Sequence, residues 1–212
     1  MHEQPATTPL PVRVVWRGLA LNALLAIPTA IVISAVAGLV VAVAALPVAL
    51  LQTHDLYLAI LSASYGPFAA AMTLQSVIGA TVLWALLHPL RQRAPSSASH
   101  IAISVLSGAG VACLGMMGAT IPVLGIVAAP WRYGPALAIT APDMSVAFFA
   151  GALAGGVALW RTQRSMHTST PSPTSSWWAY LWQHISELAW FAFPLALVLE
   201  AWAALLAAQG HT

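Results

Sequence analysis

The chain has 212 residues, of which 60% are hydrophobic and only 6% are charged, and its net charge is +2. Soluble domains carry about 25% charged residues, so this composition excludes a soluble globular protein and predicts an integral membrane protein. All seven basic residues are arginines, and the absence of lysine excludes Schiff-base chemistry with retinal or pyridoxal phosphate. The single cysteine, Cys113, excludes a disulfide framework and a cysteine-based metal site. The small positive charge gives no indication of nucleic-acid binding.

The chain begins with a polar and then basic segment, residues 1–17, which we expect to be a cytoplasmic tail. The uncharged stretch that follows is much longer than the roughly 7–15 residues of a signal-peptide core, so it is expected to be a retained span. One span needs about 20 apolar residues. We therefore predict one transmembrane helical domain, residues 1–212, with five spans at about 18–44, 56–90, 100–129, 144–160 and 180–207. A sixth span would arise if a long apolar block folds back on itself.

The first three apolar blocks are too long for a single crossing of the hydrocarbon core at about 1.5 Å per residue. They must tilt, extend beyond the bilayer or break, and an interior proline favours a break because it removes a backbone hydrogen bond. The candidate break points are Pro28, Pro47, Pro67 and Pro122.

The arginines predict the orientation of this all-α helix bundle. With five spans, Arg132 falls on one membrane face and the other six arginines fall on the opposite face. The six are Arg13, Arg17, Arg91, Arg93, Arg161 and Arg164. By the positive-inside rule the N-terminus is cytoplasmic and the C-terminus is outside, as in a multi-pass protein of the bacterial cytoplasmic (inner) membrane. Tryptophans near the predicted span ends, including Trp84 and Trp160, are expected at the membrane–water interfaces.

Ionisable groups inside a membrane are expensive to bury and are functional candidates for that reason. His184 and Glu187 are three residues apart, so they lie on one face of span five, and Trp190 continues the same stripe. The pair is expected to fix span five against its neighbours. Glu200 is about 24 Å further along and points to the opposite side, so its carboxylate is expected to reach water or headgroups. Gln75 and Tyr65 are further intramembrane polar candidates.

Three histidines, His88, His100 and His184, fall at the cytoplasmic border of predicted spans. Neutral imidazole is a common ligand of haem iron and other metals. None of the three forms an i, i+4 pair, however, and only Glu187 offers a second ligand on the same helix. We therefore expect no metal and no cofactor. No serine elbow, phosphate loop or HExxH motif is present, so no catalytic residue is assigned and an independent enzyme is not expected.

Small residues recur at three- and four-residue spacing in span three, "SGAGVACLGMMGAT", and in span four, "AGALAGG". Glycine and alanine at this spacing let transmembrane helices approach closely. Both stretches are therefore predicted to be helix-packing faces.

The stretch "YLWQHISELAW" resembles the start of the last helix in subunit III of haem–copper terminal oxidases. In that family a tryptophan and a histidine are followed three residues later by an aspartate and three further by a tryptophan. Trp182, His184, Glu187 and Trp190 fill this pattern, with Glu in place of Asp and one extra residue after Trp182.

Three other stretches resemble this family in the right order. "LPVALLQTHDLYLAILSASYG" is similar to its second-span segment, "SGAGVACLG" to the glycine-rich start of the next helix, and "MSVAFFAGALAGG" to a Ser-x-x-Phe-Phe helix entry. The five-span count also suits the short, quinol-oxidase-like form of the subunit. The family's glutamates in the first and third spans and its histidine in the fourth have no counterpart in this chain, so roles of those groups are not carried over.

The resemblance implies a cofactor-free accessory subunit of a respiratory haem–copper oxidase or a nitric oxide reductase-like complex. Such a subunit would bind phospholipid between its helices and support the catalytic subunit. The alternative from the sequence is a small transporter or permease component with a site at proline-broken helices. That site would be a solvent-connected cavity lined by Tyr65, Thr73, Gln75 and Thr120. An orphan accessory or immunity factor is a third hypothesis.

Overall fold

The computed structural model describes residues 12–54, 67–89, 97–119, 140–168 and 177–208. Within these ranges the chain forms five α-helices and no strand, which confirms the all-α bundle. The helices are α1 Val12–Thr53, α2 Pro67–Leu86, α3 Ser97–Ala119, α4 Ala141–Thr168 and α5 Trp177–Ala208. Four of them, α1, α3, α4 and α5, are long and apolar enough to cross a membrane. The fifth, α2, has 20 residues, and its length of about 30 Å equals the thickness of a hydrocarbon core.

Helix α1 is continuous over 42 residues and contains both Pro28 and Pro47. Its length of about 63 Å is twice the thickness of a hydrocarbon core. Of the three alternatives for this long apolar block, tilt, extension beyond the bilayer and a break, the structure excludes a break at Pro28 or Pro47. In lipid a break would leave several backbone groups without hydrogen bonds, and this costs more than the one bond that a proline removes. The helix ends instead at His54, whose left-handed φ of 53° is typical of a helix C-terminus.

The other two candidate break points differ in outcome. Pro67 is the first residue of α2, a position where proline is favoured because its missing N–H has no partner in the helix. Residues 55–66 lie outside the described part, so whether the helix is interrupted before Pro67 stays a prediction. Pro122 lies outside the described residues.

The five helices pack as a closed ring in chain order. Each helix contacts the next, α5 contacts α1, and α2 and α5 also meet across the ring. Helix α3 runs antiparallel to both α2 and α4. Gly79 lies against Gly115 while Gln75, earlier in α2, reaches Gly118, later in α3. Gly108 lies against Gly151 while Ser104, earlier in α3, lies against Gly155, later in α4. Helices α2 and α5 each contact three others: α2 contacts α1, α3 and α5, and α5 contacts α1, α2 and α4.

The interior is built largely from alanine and glycine. A Cβ atom placed on Gly108 would lie 2.3 Å from the carbonyl oxygen of Gly151, and one placed on Gly115 would lie 2.4 Å from that of Ser76. These distances are shorter than any ordinary contact, so only glycine permits the observed helix spacing. The predicted packing faces of spans three and four are confirmed.

Trp84 is 1% exposed and belongs to the core, so its expected place at an interface is wrong. The ring stacks on Phe191 of α5, with 4.3 Å between the ring centroids and 6° between the planes. Trp160, by contrast, is exposed, and its place at a membrane–water interface stays a prediction. Two tryptophans near helix ends thus differ because one faces α5 and the other faces outward.

Contacts between helices show which helix ends lie at the same end of the bundle. Arg161 and Arg164, near the end of α4, lie at the same end as the start of α5, since the Arg161 guanidinium is 5.6 Å from the ring centroid of Trp190. Val41 of α1 packs with Ala203 near the end of α5. If α1 ran antiparallel to α5, Ala26 and Ala30 would lie beyond the end of α5, yet both are buried in the core. The two helices therefore run parallel, and α1 also starts at this end. The final residues of α5 lie at the opposite end. Which membrane face each end occupies stays a prediction from the arginines.

Candidate functional site

His184 and Glu187 of α5 meet His88, which follows the last turn of α2. The possible ligand atoms of these three side chains all lie within 4.8 Å of one another. His88 Nδ1 is 3.3 Å from Glu187 Oε2, and the His88 and His184 rings meet edge to face with centroids 4.8 Å apart. His184 and Glu187 thus lie on the side of α5 that faces α2, and their role as a pair that holds span five stays a prediction. We call these three residues the His/Glu cluster.

The antiparallel packing of α2 on α5 creates this cluster. Trp84 lies one turn before His88, and Phe191 lies one turn after Glu187, so the stacked rings fix how the two helices align. The last turn of α2 continues beyond Leu86, because the N–H of Leu87 donates to the carbonyl of Leu83 at 3.0 Å. His88 therefore stays on the helix surface that faces α5.

The His/Glu cluster is largely withdrawn from solvent. His184 is 4% exposed, and the side chains of His88 and Glu187 are 20% and 14% exposed. Partial burial strengthens a charged contact, because fewer water dipoles screen it. A carboxylate in this position is stabilised by a protonated His88 or by another cation between the three groups.

The two tryptophans of the candidate motif lie outside the cluster. Trp182 is 70% exposed and Trp190 is also exposed. Because Trp190 lies beneath the guanidinium of Arg161, it makes a cation–π contact at the surface of the bundle. The motif thus divides into a buried polar pair and two outward-facing tryptophans, which suits contact with lipid headgroups.

Glu200 is 3% exposed, so the expectation that its carboxylate reaches water or headgroups is wrong. The sequence argument placed Glu200 opposite His184 on α5, and assumed that this side faces outward. Since α5 is covered by α1, α2 and α4, both sides of the helix point into the bundle.

The remaining intramembrane candidates have a packing role or lie outside the described part. The side-chain amide of Gln75 donates to the carbonyl of Gly118 at 3.2 Å and so connects α2 to α3. Tyr65 lies outside the described residues. His100 is on α3 and does not take part in the His/Glu cluster, so the structure brings together two of the three border histidines.

Sequence reasoning missed a polar contact at the other end of the bundle. The indole N–H of Trp202 donates to Asp143 Oδ1 at 2.7 Å, joining α5 to α4. Asp143 Oδ2 accepts from the backbone N–H and the hydroxyl of Thr140, at 2.8 and 2.6 Å. Thr140 and Asp143 have the spacing of a helix capping box, which was visible in the sequence as the start of α4. The contact to Trp202 had no such local pattern.

The cluster admits two kinds of chemistry. As an ion pair, protonated His88 and the Glu187 carboxylate cross-link two helices. As a ligand set, two imidazoles and one carboxylate are suited to a divalent metal ion. The sequence analysis named His88 as a border histidine but could not bring it next to His184 and Glu187, as the structure does.

Comparison with known proteins gives no further assignment. No protein family, no curated protein and no solved structure matches this chain.

Proposed function

We propose that this multi-pass membrane protein is a non-catalytic subunit that supports the catalytic subunit of a haem–copper oxidase or a related nitric oxide reductase. The observation that carries this proposal is the placement of His184 and Glu187. They lie on one face at the start of the last helix, buried against a neighbouring helix, as the resemblance to subunit III implies. In this proposal the pair holds α5 in place near phospholipid headgroups in the cytoplasmic membrane of a bacterium.

The composition of the bundle interior supports a role through packing. The described residues include three acidic side chains, Asp143, Glu187 and Glu200. Asp143 and Glu187 each contact a second helix. Three separated acids are too few for the relay of carboxylates that a proton pump or transporter needs. In this proposal the subunit acts through packing, and the haems and copper lie in the catalytic subunit.

The outer surface of α1 offers a place for a partner or for lipid. Large apolar side chains along the helix are exposed, whereas small ones such as Ala26 and Ala30 face the bundle. The exposed residues include Leu24, Val32, Leu39, Val43 and Leu51. Such a surface fits a bilayer or another transmembrane subunit equally, so it supports membrane residence and does not by itself choose the partner.

The experiment is co-purification from native membranes in a mild detergent through a tag on this chain. A haem-bearing catalytic subunit and bound phospholipid are expected in the eluate, with haem detected by a reduced-minus-oxidised absorption spectrum. An unrelated tagged membrane protein from the same cells is the control for non-specific carry-over. If the chain elutes alone, or with a partner that lacks haem, the oxidase proposal is wrong.

The transporter alternative has less support from the described residues. Of its four predicted cavity-lining residues, Thr73 is buried and Gln75 binds a carbonyl of α3. One turn further along, Gly79 and Gly115 bring the two backbones into contact. Tyr65 and Thr120 lie outside the described part. A site at this depth would have to open a close helix contact, so we do not propose it.

A further inference from the structure

We propose that His88, His184 and Glu187 bind a divalent transition-metal cation, with Zn²⁺ as the reference ion, and that this ion links α2 to α5. This proposal concerns the isolated chain and does not depend on the oxidase assignment. It revises the expectation of a cofactor-free protein: the ion would be structural and not a redox centre.

The first step of the argument is distance. Zinc binds imidazole nitrogen at about 2.0–2.1 Å and carboxylate oxygen at about 2.0–2.2 Å, so two ligand atoms of a tetrahedral site lie about 3.4 Å apart. His88 Nδ1 and Glu187 Oε2 are 3.3 Å apart and already form one edge of such a tetrahedron. All three ligand atoms lie within 4.8 Å of one another. The ligand atom of His184 therefore has to move closer to the other two by at most about 1.4 Å to complete one face of the tetrahedron.

The second step is ligand chemistry. Two neutral imidazoles and one carboxylate make up a common set of three protein ligands for zinc, with the fourth position left to water. The sulfur-free set disfavours Cu⁺, and the two nitrogens disfavour Mg²⁺ and Ca²⁺. His88, the most exposed member, leaves an approach from the end of the bundle. The site therefore fits a borderline cation that keeps one water ligand.

The third step distinguishes a metal site of three residues from an ion pair between His88 and Glu187. A protonated His88 paired with Glu187 accounts for the 3.3 Å contact without a metal. That pair needs two residues, whereas a metal site needs His184 as a third. His184 projects its ring to 4.8 Å from the His88 ring from the same helix face as Glu187. Dependence on His184 thus distinguishes the two interpretations.

The test uses the full-length chain, purified in detergent with a tag that contains no histidine. After a chelator removes bound metal, the protein is incubated with Zn²⁺, freed of excess metal and analysed by elemental mass spectrometry. About one zinc per chain is expected, together with a higher thermal unfolding midpoint. Co²⁺ in place of Zn²⁺ is expected to give the strong visible absorption of a tetrahedral cobalt site.

The variants His184→Gln, His88→Gln and Glu187→Gln are each expected to weaken Zn²⁺ binding by more than about 100-fold, because loss of a direct ligand exceeds the effect of losing its supporting hydrogen bond. The matched control is His100→Gln, which changes a histidine outside the cluster and is expected to keep one zinc per chain. Circular dichroism and gel filtration check that each variant is folded. If a variant is unfolded, the Zn²⁺ and Co²⁺ measurements on the unchanged protein still decide the question.

Absence of zinc from the loaded wild-type protein would overturn the proposal. Retention of full affinity in His184→Gln, or an equal loss in His100→Gln, would do the same. Because zinc binding is measured on the isolated chain and haem on co-purified material, failure of one proposal leaves the other standing.

Discussion

Replacing Gly108 by alanine tests the claim that glycine sets the spacing between α3 and α4. The added Cβ would lie 2.3 Å from the Gly151 carbonyl oxygen and 3.1 Å from the Gly155 Cα. Ordinary contact begins at 3.4 Å, so the two helices must separate locally by about 1 Å. A gap of 0.5–1 Å forfeits roughly a quarter to a half of each dispersion contact. We expect a loss of about 2–3 kcal/mol in the free energy of unfolding, since the obstacle is backbone and cannot rotate away.

The assay is thermal unfolding in detergent, followed by the loss of helical circular dichroism. The matched control is Gly110→Ala on the same helix, because a Cβ there meets nothing within 4 Å. That variant is expected to be unchanged or to gain up to about 1 kcal/mol from better helix propensity. Equal midpoints for Gly108→Ala and the wild-type protein would refute the close-approach argument, as would an equal loss in the control.

Three further substitutions are measured by the same unfolding assay. Phe191→Ala removes the ring that stacks on Trp84 in the core and is expected to cost about 3–5 kcal/mol. Trp202→Phe removes the N–H that donates to Asp143 at 2.7 Å and is expected to cost about 1.5–3 kcal/mol. Ser34→Ala removes a buried hydroxyl without a hydrogen-bond partner among the described residues, so stability is expected to stay constant or to rise by up to about 1 kcal/mol.

Each of these substitutions has a matched control of the same residue type elsewhere in the chain. Phe149→Ala and Trp182→Phe change exposed rings and are expected to stay within about 0.5 kcal/mol of the wild-type value. Ser76→Ala removes a hydroxyl that donates to the Met72 carbonyl at 2.8 Å and is expected to cost about 1 kcal/mol. If a control variant loses as much unfolding free energy as Phe191→Ala or Trp202→Phe, burial and hydrogen bonding do not account for the stability of α5. A loss in Ser34→Ala equal to that in Ser76→Ala would show that the Ser34 hydroxyl has a hydrogen-bond partner.

The number and type of helices could be predicted from hydropathy because a bilayer permits few alternatives to a helix. Span four, predicted at 144–160, lies within Ala141–Thr168, and span five, predicted at 180–207, lies within Trp177–Ala208. The sequence left open whether the first apolar block tilts, extends or breaks at a proline such as Pro28, because the cost of a break in lipid depends on backbone hydrogen bonds that the sequence pattern does not show. Glycine spacing correctly predicted packing faces on spans three and four, because small side chains let helices approach closely, but it did not predict that these two faces meet each other.

The candidate site could be predicted only in part. Helix periodicity brings His184 and Glu187 together, because both belong to one helix. It gives no information about which residue of another helix lies opposite, so His88 was recognised as a border histidine and not as their partner. For the same reason Glu200 was placed on the outer surface of α5, whereas its side chain is buried among the neighbouring helices. Contacts between helices depend on their relative alignment, which in this bundle follows from a stacked ring pair and from glycine contacts.

Helix α5 is attached at two depths, to α2 through Glu187 and to α4 through Trp202. Fifteen residues separate the two positions, a distance of about 22 Å along the axis. A slide of α5 by one residue, or a turn about its axis, would break both attachments at once. A partner that pulls on this helix must therefore carry its two neighbours with it, and the three helices transmit the force as one rigid unit.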